Sequence, residues 1–205
     1  MIGFYNYTVL LTYLGMLVSL VGLAFARSGH ITNALLCLLF AGLCDMFDGK
    51  VAATKTRTDE ERHFGIEIDS LSDLISFGIL PAVIVVFMVW EDMRMLPIAA
   101  FYVLCALIRL AYFNVDEMGR QKETSAPRRE YRGLPVTSIA LILPAASCLA
   151  GRVCENRIWM LMPTMFITAI AFITPFKLKK PGNLGKTVMG IGGLALFLLL
   201  IWRVK

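Results

Sequence analysis

Four aspartates occur as two pairs in the apolar part of the sequence. Asp45 and Asp48 lie three residues apart near the end of one apolar run, and Asp69 and Asp73 lie four residues apart where the next run begins. Residues three or four apart share one face of an α-helix, so each helix presents two carboxylates to one side. If the two helices are antiparallel neighbours, the two pairs lie at similar depth and all four carboxylates converge.

The chemistry of these side chains predicts a metal site. About two further helical turns follow Asp45 in its apolar run, and an ionisable group at that depth is costly unless it is paired or binds a cation. Four like charges repel one another unless they are neutralised, and carboxylate oxygens are suitable ligands for Mg²⁺ or Mn²⁺. For Asp69 alone, a solvated position or a helix N-cap is an open alternative.

The elements that carry these residues are predicted to be membrane-spanning helices. The chain has 205 residues, of which 58% are hydrophobic and 17% charged, and its mean hydropathy is +0.70. A membrane helix needs about 20 apolar residues. Runs of this kind occupy 8–25, 32–53, 69–90, 96–115, 135–151, 157–174 and 187–202. We therefore predict an all-α, polytopic integral membrane bundle of about seven spans, forming a single domain over residues 1–205.

Basic residues are concentrated in the second, fourth and sixth connections between these runs. They are Lys50, Lys55, Arg57 and Arg62, then Arg120, Lys122, Arg128, Arg129 and Arg132, and finally Lys177, Lys179, Lys180 and Lys186. The positive-inside rule places these connections, the N-terminus and the aspartates on the cytoplasmic side of the cell membrane. Such basic surfaces suit anionic lipid headgroups or a phosphorylated substrate, and we expect no nucleic-acid partner.

The aspartates belong to a longer motif. The segment Asp45-Met-Phe-Asp48-Gly49-Lys-Val-Ala52, followed by Gly65-Ile-Glu-Ile-Asp69-Ser-Leu-Ser-Asp73, resembles the signature of the CDP-alcohol phosphotransferases. That signature reads D-x-x-D-G-x-x-A-R, a variable gap, and G-x-x-x-D-x-x-x-D. Both the spacing and the glycines match.

This resemblance implies an activity and a set of catalytic roles. In this family an alcohol hydroxyl attacks the phosphorus that joins a CDP unit to its lipid or alcohol, and CMP leaves. Two divalent ions, Mg²⁺ or Mn²⁺, clamp the pyrophosphate oxygens. By position, Asp45, Asp48 and Asp69 would be metal ligands, and Asp73 would be the general base and a further metal ligand. The family also implies a core of six helices and a homodimer.

The nucleotide contacts implied by the motif contain one departure from the family. The implied contacts are Gly49, Ala52, Lys55, Arg57 and Gly65. The two glycines have no side chain to block the nucleotide. The arginine that follows the family's alanine is replaced here by Ala53. Lys55 and Arg57 are the candidates to take its place.

Three further segments resemble the serine-using members of this family. They are Asp69–Gly78 with Pro81, Arg109–Asn114 and Arg132–Val136. The resemblance implies that CDP-diacylglycerol and L-serine are the substrates. These segments are less specific than the aspartate motif, so glycerol 3-phosphate, inositol phosphate or another small alcohol stays open as the acceptor.

Arg109 is the most informative acceptor candidate. It is predicted to lie in the cytoplasmic third of the fourth span, where an arginine requires a partner. A guanidinium group can bind the serine carboxylate through two hydrogen bonds. Alternatively, Arg109 forms an ion pair with Asp69 or Glu67 that only fixes helix packing. Asn114 and Arg132 are further candidates for the same pocket.

Two other classes of protein compete with an enzyme. An ion-coupled transporter also uses intramembrane carboxylates, but it predicts charges near the bilayer midplane and broken helices in two repeated halves. A membrane scaffold gives no reason for four clustered carboxylates. Both fit the sequence less well than an enzyme does.

Overall fold

A computed structural model describes residues 3–90, 92–123, 130–153, 156–179 and 183–204, and most of them are helical. The helices are α1 (Leu10–Arg27), α2 (Ile31–Ala52), α3 (Asp59–Asp73), α4 (Leu80–Met88), α5 (Met95–Glu123), α6 (Ile139–Val153), α7 (Ile158–Ile173) and α8 (Asn183–Val204). Short 3₁₀ turns, Tyr7–Val9 and Val136–Ser138, precede α1 and α6. Of the basic residues noted above, Arg128, Arg129 and Lys180 lie outside the described ranges.

The predicted membrane bundle is confirmed. Within the described ranges, four helical segments are long and apolar enough to cross a membrane: Tyr7–Arg27, Ile31–Ala52, Asp59–Met88 and Met95–Gly119. Three shorter apolar helices are Val136–Ala150, Ile158–Ile173 and Gly190–Trp202. Each of these segments overlaps one of the predicted apolar runs.

The third span is longer than its apolar run. It begins at Asp59, whereas the apolar run begins at residue 69, because a capping box starts the helix in the polar stretch. The Thr58 hydroxyl accepts a hydrogen bond from the Glu61 amide at 3.2 Å, and the Glu61 carboxylate accepts one from the Thr58 amide at 3.1 Å. This early start puts Gly65 on the helix, on the same face as Asp69 one turn later.

A π-helical turn, Leu74–Ile79, joins α3 to α4 directly after Asp73. In a regular α-helix the amide of residue 81 would donate to the Phe77 carbonyl, but Pro81 has no N–H group. The Tyr102 hydroxyl of α5 donates to this carbonyl at 2.6 Å, and Tyr102 is 0% exposed. The wide turn is thus stabilised by a buried side chain from a neighbouring helix.

Small residues bring α1, α2 and α6 close together. A Cβ atom on Gly22 would lie 2.9 Å from the Cys37 Cβ, and one on Gly42 would lie 2.7 Å from the Ala140 Cβ. Neither position has room for a side chain, as is usual where membrane helices pack closely. The core lies between these helices and α4, α5 and α7. Its fully buried side chains include Leu38, Leu80, Ile84, Leu143 and Leu161.

A short strand pair accompanies the helices in the described part of the chain. Strand β1 (Glu130–Arg132) pairs antiparallel with β2 (Lys177–Lys179), with Arg132 opposite Lys177. Gly133 then turns into α6 with φ +76°, and a Cβ atom there would lie 2.8 Å from the Phe172 carbonyl oxygen. The pair joins the connection before α6 to the one after α7, so both basic connections lie at the same end of the bundle.

Candidate active site

Three of the four aspartates converge. Asp45 and Asp48 on α2 and Asp69 on α3 offer carboxylate oxygens that all lie within 4.8 Å of one another. Two ligands on opposite sides of one Mg²⁺ ion are about 4.2 Å apart, since each Mg²⁺–O bond is about 2.1 Å. The spacing and the all-oxygen donor set therefore fit a divalent cation, with only small side-chain adjustments.

Asp73 lines the same region but is not one of the three grouped carboxylates. It borders a narrow cleft together with Asp45, Asp48 and Thr12. All four aspartates are half-buried. Carboxylates held this close repel one another when they are ionised, so a bound cation would stabilise the arrangement.

Two hydroxyl hydrogen bonds link α1 to the helices that carry the aspartates. The Thr12 hydroxyl of α1 donates to the Asp48 Oδ2 atom at 3.4 Å. The Ser72 hydroxyl of α3 donates to the Thr12 carbonyl oxygen at 3.1 Å. Thr12 was not among the residues predicted from the sequence. A signal was available, because Thr8, Thr12, Gly15 and Ser19 are small or polar residues spaced to share one face of an apolar helix.

The candidate nucleotide contacts lie around the start of α3 and the end of α2. Lys55 forms an ion pair with Glu61 at 3.0 Å. The Arg57 Nη1 atom lies 3.1 Å from the position that a Cβ atom on Gly65 would take. On α2, Gly49 is exposed and a Cβ atom there would have nothing within 4 Å. Ala52 is half-buried at the end of that helix.

Two acceptor candidates are buried on α5. Arg109 is 6% exposed and Asn114 is 9% exposed. The guanidinium carbon of Arg109 lies 5.6 Å from the centre of the Phe113 ring. Asn114 accepts a hydrogen bond from the Ser70 hydroxyl at 2.6 Å and donates one to Glu67 at 3.4 Å. Asn114 therefore links α5 to the helix that carries Asp69.

Arg132, the third acceptor candidate, is exposed. It donates a hydrogen bond to the Tyr112 hydroxyl at 3.1 Å. This hydrogen bond is the main cause of the raised pKa of the Arg132 guanidinium, and the charge of Asp116 raises that pKa further. Arg132 on the strand pair thus contacts α5, whereas Asn114 on α5 contacts α3.

Residues 5–175 match the model of the CDP-alcohol phosphatidyltransferase family. The chain belongs to this family. The matched region runs from the segment before α1 to the end of α7, so it contains both aspartate pairs, the narrow cleft and all three acceptor candidates.

Several curated proteins are similar to this chain. The CDP-diacylglycerol–serine O-phosphatidyltransferase of Saccharomyces cerevisiae is 38% identical over 122 residues, which are 58% of this chain and 43% of that protein. The archaetidylserine synthase of Methanothermobacter thermautotrophicus is 34% identical over 131 residues, 63% of this chain and 50% of that protein. This chain therefore matches about half the length of these two relatives. A Methanocaldococcus jannaschii protein, also named as a CDP-diacylglycerol–serine O-phosphatidyltransferase, is 28% identical over 182 residues, 84% of this chain and 81% of that protein.

The one departure from the family motif lies at an exposed position of this chain. Ala53 is exposed just beyond the end of α2. Of the two basic residues that could compensate, Lys55 is bound to Glu61, whereas Arg57 lies over Gly65, one helical turn from Asp69. The geometry therefore distinguishes two residues that the sequence analysis left equivalent.

Proposed function

We propose that this chain transfers a phosphatidyl group from CDP-diacylglycerol to the hydroxyl of L-serine and releases CMP. The convergence of Asp45, Asp48 and Asp69 within the family motif is the observation that carries the proposal. The choice of serine is supported by the names of the similar proteins from Saccharomyces and Methanocaldococcus.

The aspartates have different roles in this proposal. Asp45, Asp48 and Asp69 hold two divalent ions, Mg²⁺ or Mn²⁺, and Asp73 is a further ligand. When bound, such ions neutralise the pyrophosphate and stabilise the charge that develops on departing CMP. The tight grouping of the first three carboxylates, with Asp73 beside them in the cleft, supports this division.

Asp73 is also the general base. Its carboxylate accepts the proton of the serine hydroxyl while that oxygen forms a bond to the phosphorus of CDP-diacylglycerol next to the lipid. The bond from this phosphorus to the CMP oxygen breaks, and CMP leaves with the bonding electrons. The half-buried position of Asp73 limits access of competing water.

We further propose that the N-terminus and the active site lie on the cytoplasmic side. The β1–β2 pair supports this orientation, because it joins two of the three basic connections at one end of the bundle. Association into a homodimer is proposed from the family alone. The mass of the protein in detergent, measured by light scattering, tests it.

Arg57 is the residue proposed to bind the nucleotide phosphates in place of the missing family arginine. Replacing Arg57 by glutamine is expected to raise the KM for CDP-diacylglycerol about tenfold to a hundredfold, the usual cost of losing a hydrogen bond to a charged group. The matched variant Lys55→Gln should have a smaller effect, because Lys55 already pairs with Glu61. Steady-state kinetics of both variants provide the comparison, and a larger effect at Lys55 would reverse the assignment.

Arg109 is proposed to bind the serine carboxylate. Arg109→Lys keeps the charge but loses the planar guanidinium, so it is expected to raise the KM for serine about tenfold and that for CDP-diacylglycerol much less. Arg94→Lys, on the connection before α5, is the control. If Arg109→Lys instead lowers the melting temperature and affects both substrates alike, Arg109 has a structural role.

An acceptor screen tests the proposed function directly. Purified protein receives CDP-diacylglycerol and Mn²⁺ or Mg²⁺, with serine, glycerol 3-phosphate, inositol or inositol phosphate offered in turn, and CMP release is measured. Release only with serine is the expected result. Release only with another alcohol would keep the chemistry and change the acceptor, whereas no release with any of the four would overturn the proposal.

A further inference from the structure

We infer that Thr12 is a positioning residue. Its hydroxyl orients the metal ligand Asp48, and its carbonyl oxygen holds the end of α3 that carries Asp73. The inference rests on the proposed function, because it concerns the same carboxylates. It assigns a role in the site to α1, a helix that lies outside the family's aspartate motif.

The first observation is the pair of hydrogen bonds made by Thr12. Its hydroxyl donates to one oxygen of Asp48, Oδ2, at 3.4 Å, and its carbonyl oxygen accepts from the Ser72 hydroxyl at 3.1 Å. Thr12 is 7% exposed and Ser72 is 8% exposed, so bulk water competes little for either bond. One residue of α1 therefore contacts both helices that carry aspartates.

The second observation is that α1 is held firmly at this depth. A Cβ atom on Gly15, one turn further along α1, would lie only 3.3 Å from the Cys44 Cβ. The Ser19 hydroxyl, a further turn along, lies 2.8 Å from the Ser76 hydroxyl. Ser72 and Ser76 stand on either side of Asp73 in the sequence. Contacts at two levels of α1 thus limit rotation of the segment that carries the proposed base.

The consequence for metal binding follows from the geometry of a carboxylate. A hydrogen bond from Thr12 to Oδ2 restricts the rotation of the Asp48 side chain and does not itself occupy the other oxygen. Hydrogen-bond partners of this kind orient metal-binding side chains, and losing one typically weakens metal affinity about 10- to 100-fold.

The test measures Mn²⁺ binding to purified protein in detergent, without substrate, by electron paramagnetic resonance. Thr12→Val, which keeps the shape and removes the hydroxyl, is expected to raise the Kd for Mn²⁺ about 10- to 100-fold. Thr12→Ser restores a hydroxyl and should stay within about threefold of the parent Kd. Thr164→Val on α7, where the hydroxyl donates to the Met160 carbonyl of its own helix, is the matched control and should bind like the parent.

The outcomes separate this inference from the metal site itself. Parental Mn²⁺ affinity in Thr12→Val, together with loss of binding in Asp48→Asn, would overturn the role of Thr12 and leave the metal site in place. Absence of Mn²⁺ binding to the parent would overturn both. If Thr12→Val does not fold, as judged by gel filtration and melting, Thr12→Ala removes the same hydroxyl with less bulk and is measured instead.

Discussion

Replacing Asp73 by asparagine is expected to reduce the rate of CMP release about 100- to 10,000-fold. Asparagine has nearly the same shape as aspartate but cannot accept the proton of the attacking hydroxyl, and loss of a general base typically has an effect of this size. Binding of CDP-diacylglycerol should remain measurable, because Asp73 lies beside the three grouped carboxylates and is not one of them. Single-turnover kinetics and equilibrium binding on the same preparation test both parts.

The control for this variant is Asp92→Asn. Asp92 lies on the connection between α4 and α5, where Arg94 pairs with it and lowers its pKa. This change should leave turnover at the parent rate. Near-parental turnover in Asp73→Asn would show that another group accepts the proton.

Replacing Asp45 or Asp69 by alanine is expected to weaken metal binding by more than 100-fold, which exceeds the effect of losing only a hydrogen-bond partner of a ligand. CDP-diacylglycerol binding should weaken in parallel, because the proposed metal ions would link the pyrophosphate to the protein. Titration of Mn²⁺ by electron paramagnetic resonance and of the lipid nucleotide by calorimetry measures the two effects.

Comparing Asp45→Ala with Asp69→Ala also tests whether the two residues bind the same metal centre. Asp45 comes from α2 and Asp69 from α3, so similar losses would indicate that both helices contribute to one metal centre. Asp116→Asn, in the last third of α5 and outside the aspartate motif, provides a matched control for loss of a carboxylate. If either Asp45→Ala or Asp69→Ala bound CDP-diacylglycerol as tightly as the parent in the presence of metal, the proposed clamp would be wrong.

The sequence predicted the helices well where hydropathy marks them. The predicted apolar runs all correspond to helices, because about 20 consecutive apolar residues leave few other structures in a membrane. The start of the third span was placed too late. Six of the ten residues 59–68 are acidic, basic or histidine, so the helix start is set by the Thr58–Glu61 capping box and not by hydropathy.

The sequence predicted that all four aspartates converge, and the structure groups three of them with Asp73 beside the cleft, but their hydrogen-bond partners were not predictable. Spacings of three and four fix which residues share a helix face whatever the tertiary structure. Contacts between helices depend on their rotation and depth, and one sequence contains no direct measure of either. The hydrogen bond from Thr12 to Asp48 and the difference between Lys55 and Arg57 therefore required the structure.

The π-helical turn Leu74–Ile79 limits how the length of the third span can change. Successive residues of an α-helix are rotated by about 100° around its axis. Inserting or deleting one residue in this turn would rotate α4 relative to α3 by about that angle. Asp73 borders the cleft before the turn, whereas Ile84 and Val85 are fully buried after it. Substitutions in this segment can preserve both the position of Asp73 at the cleft and the burial of Ile84 and Val85. A change of one residue in length would disrupt one or the other.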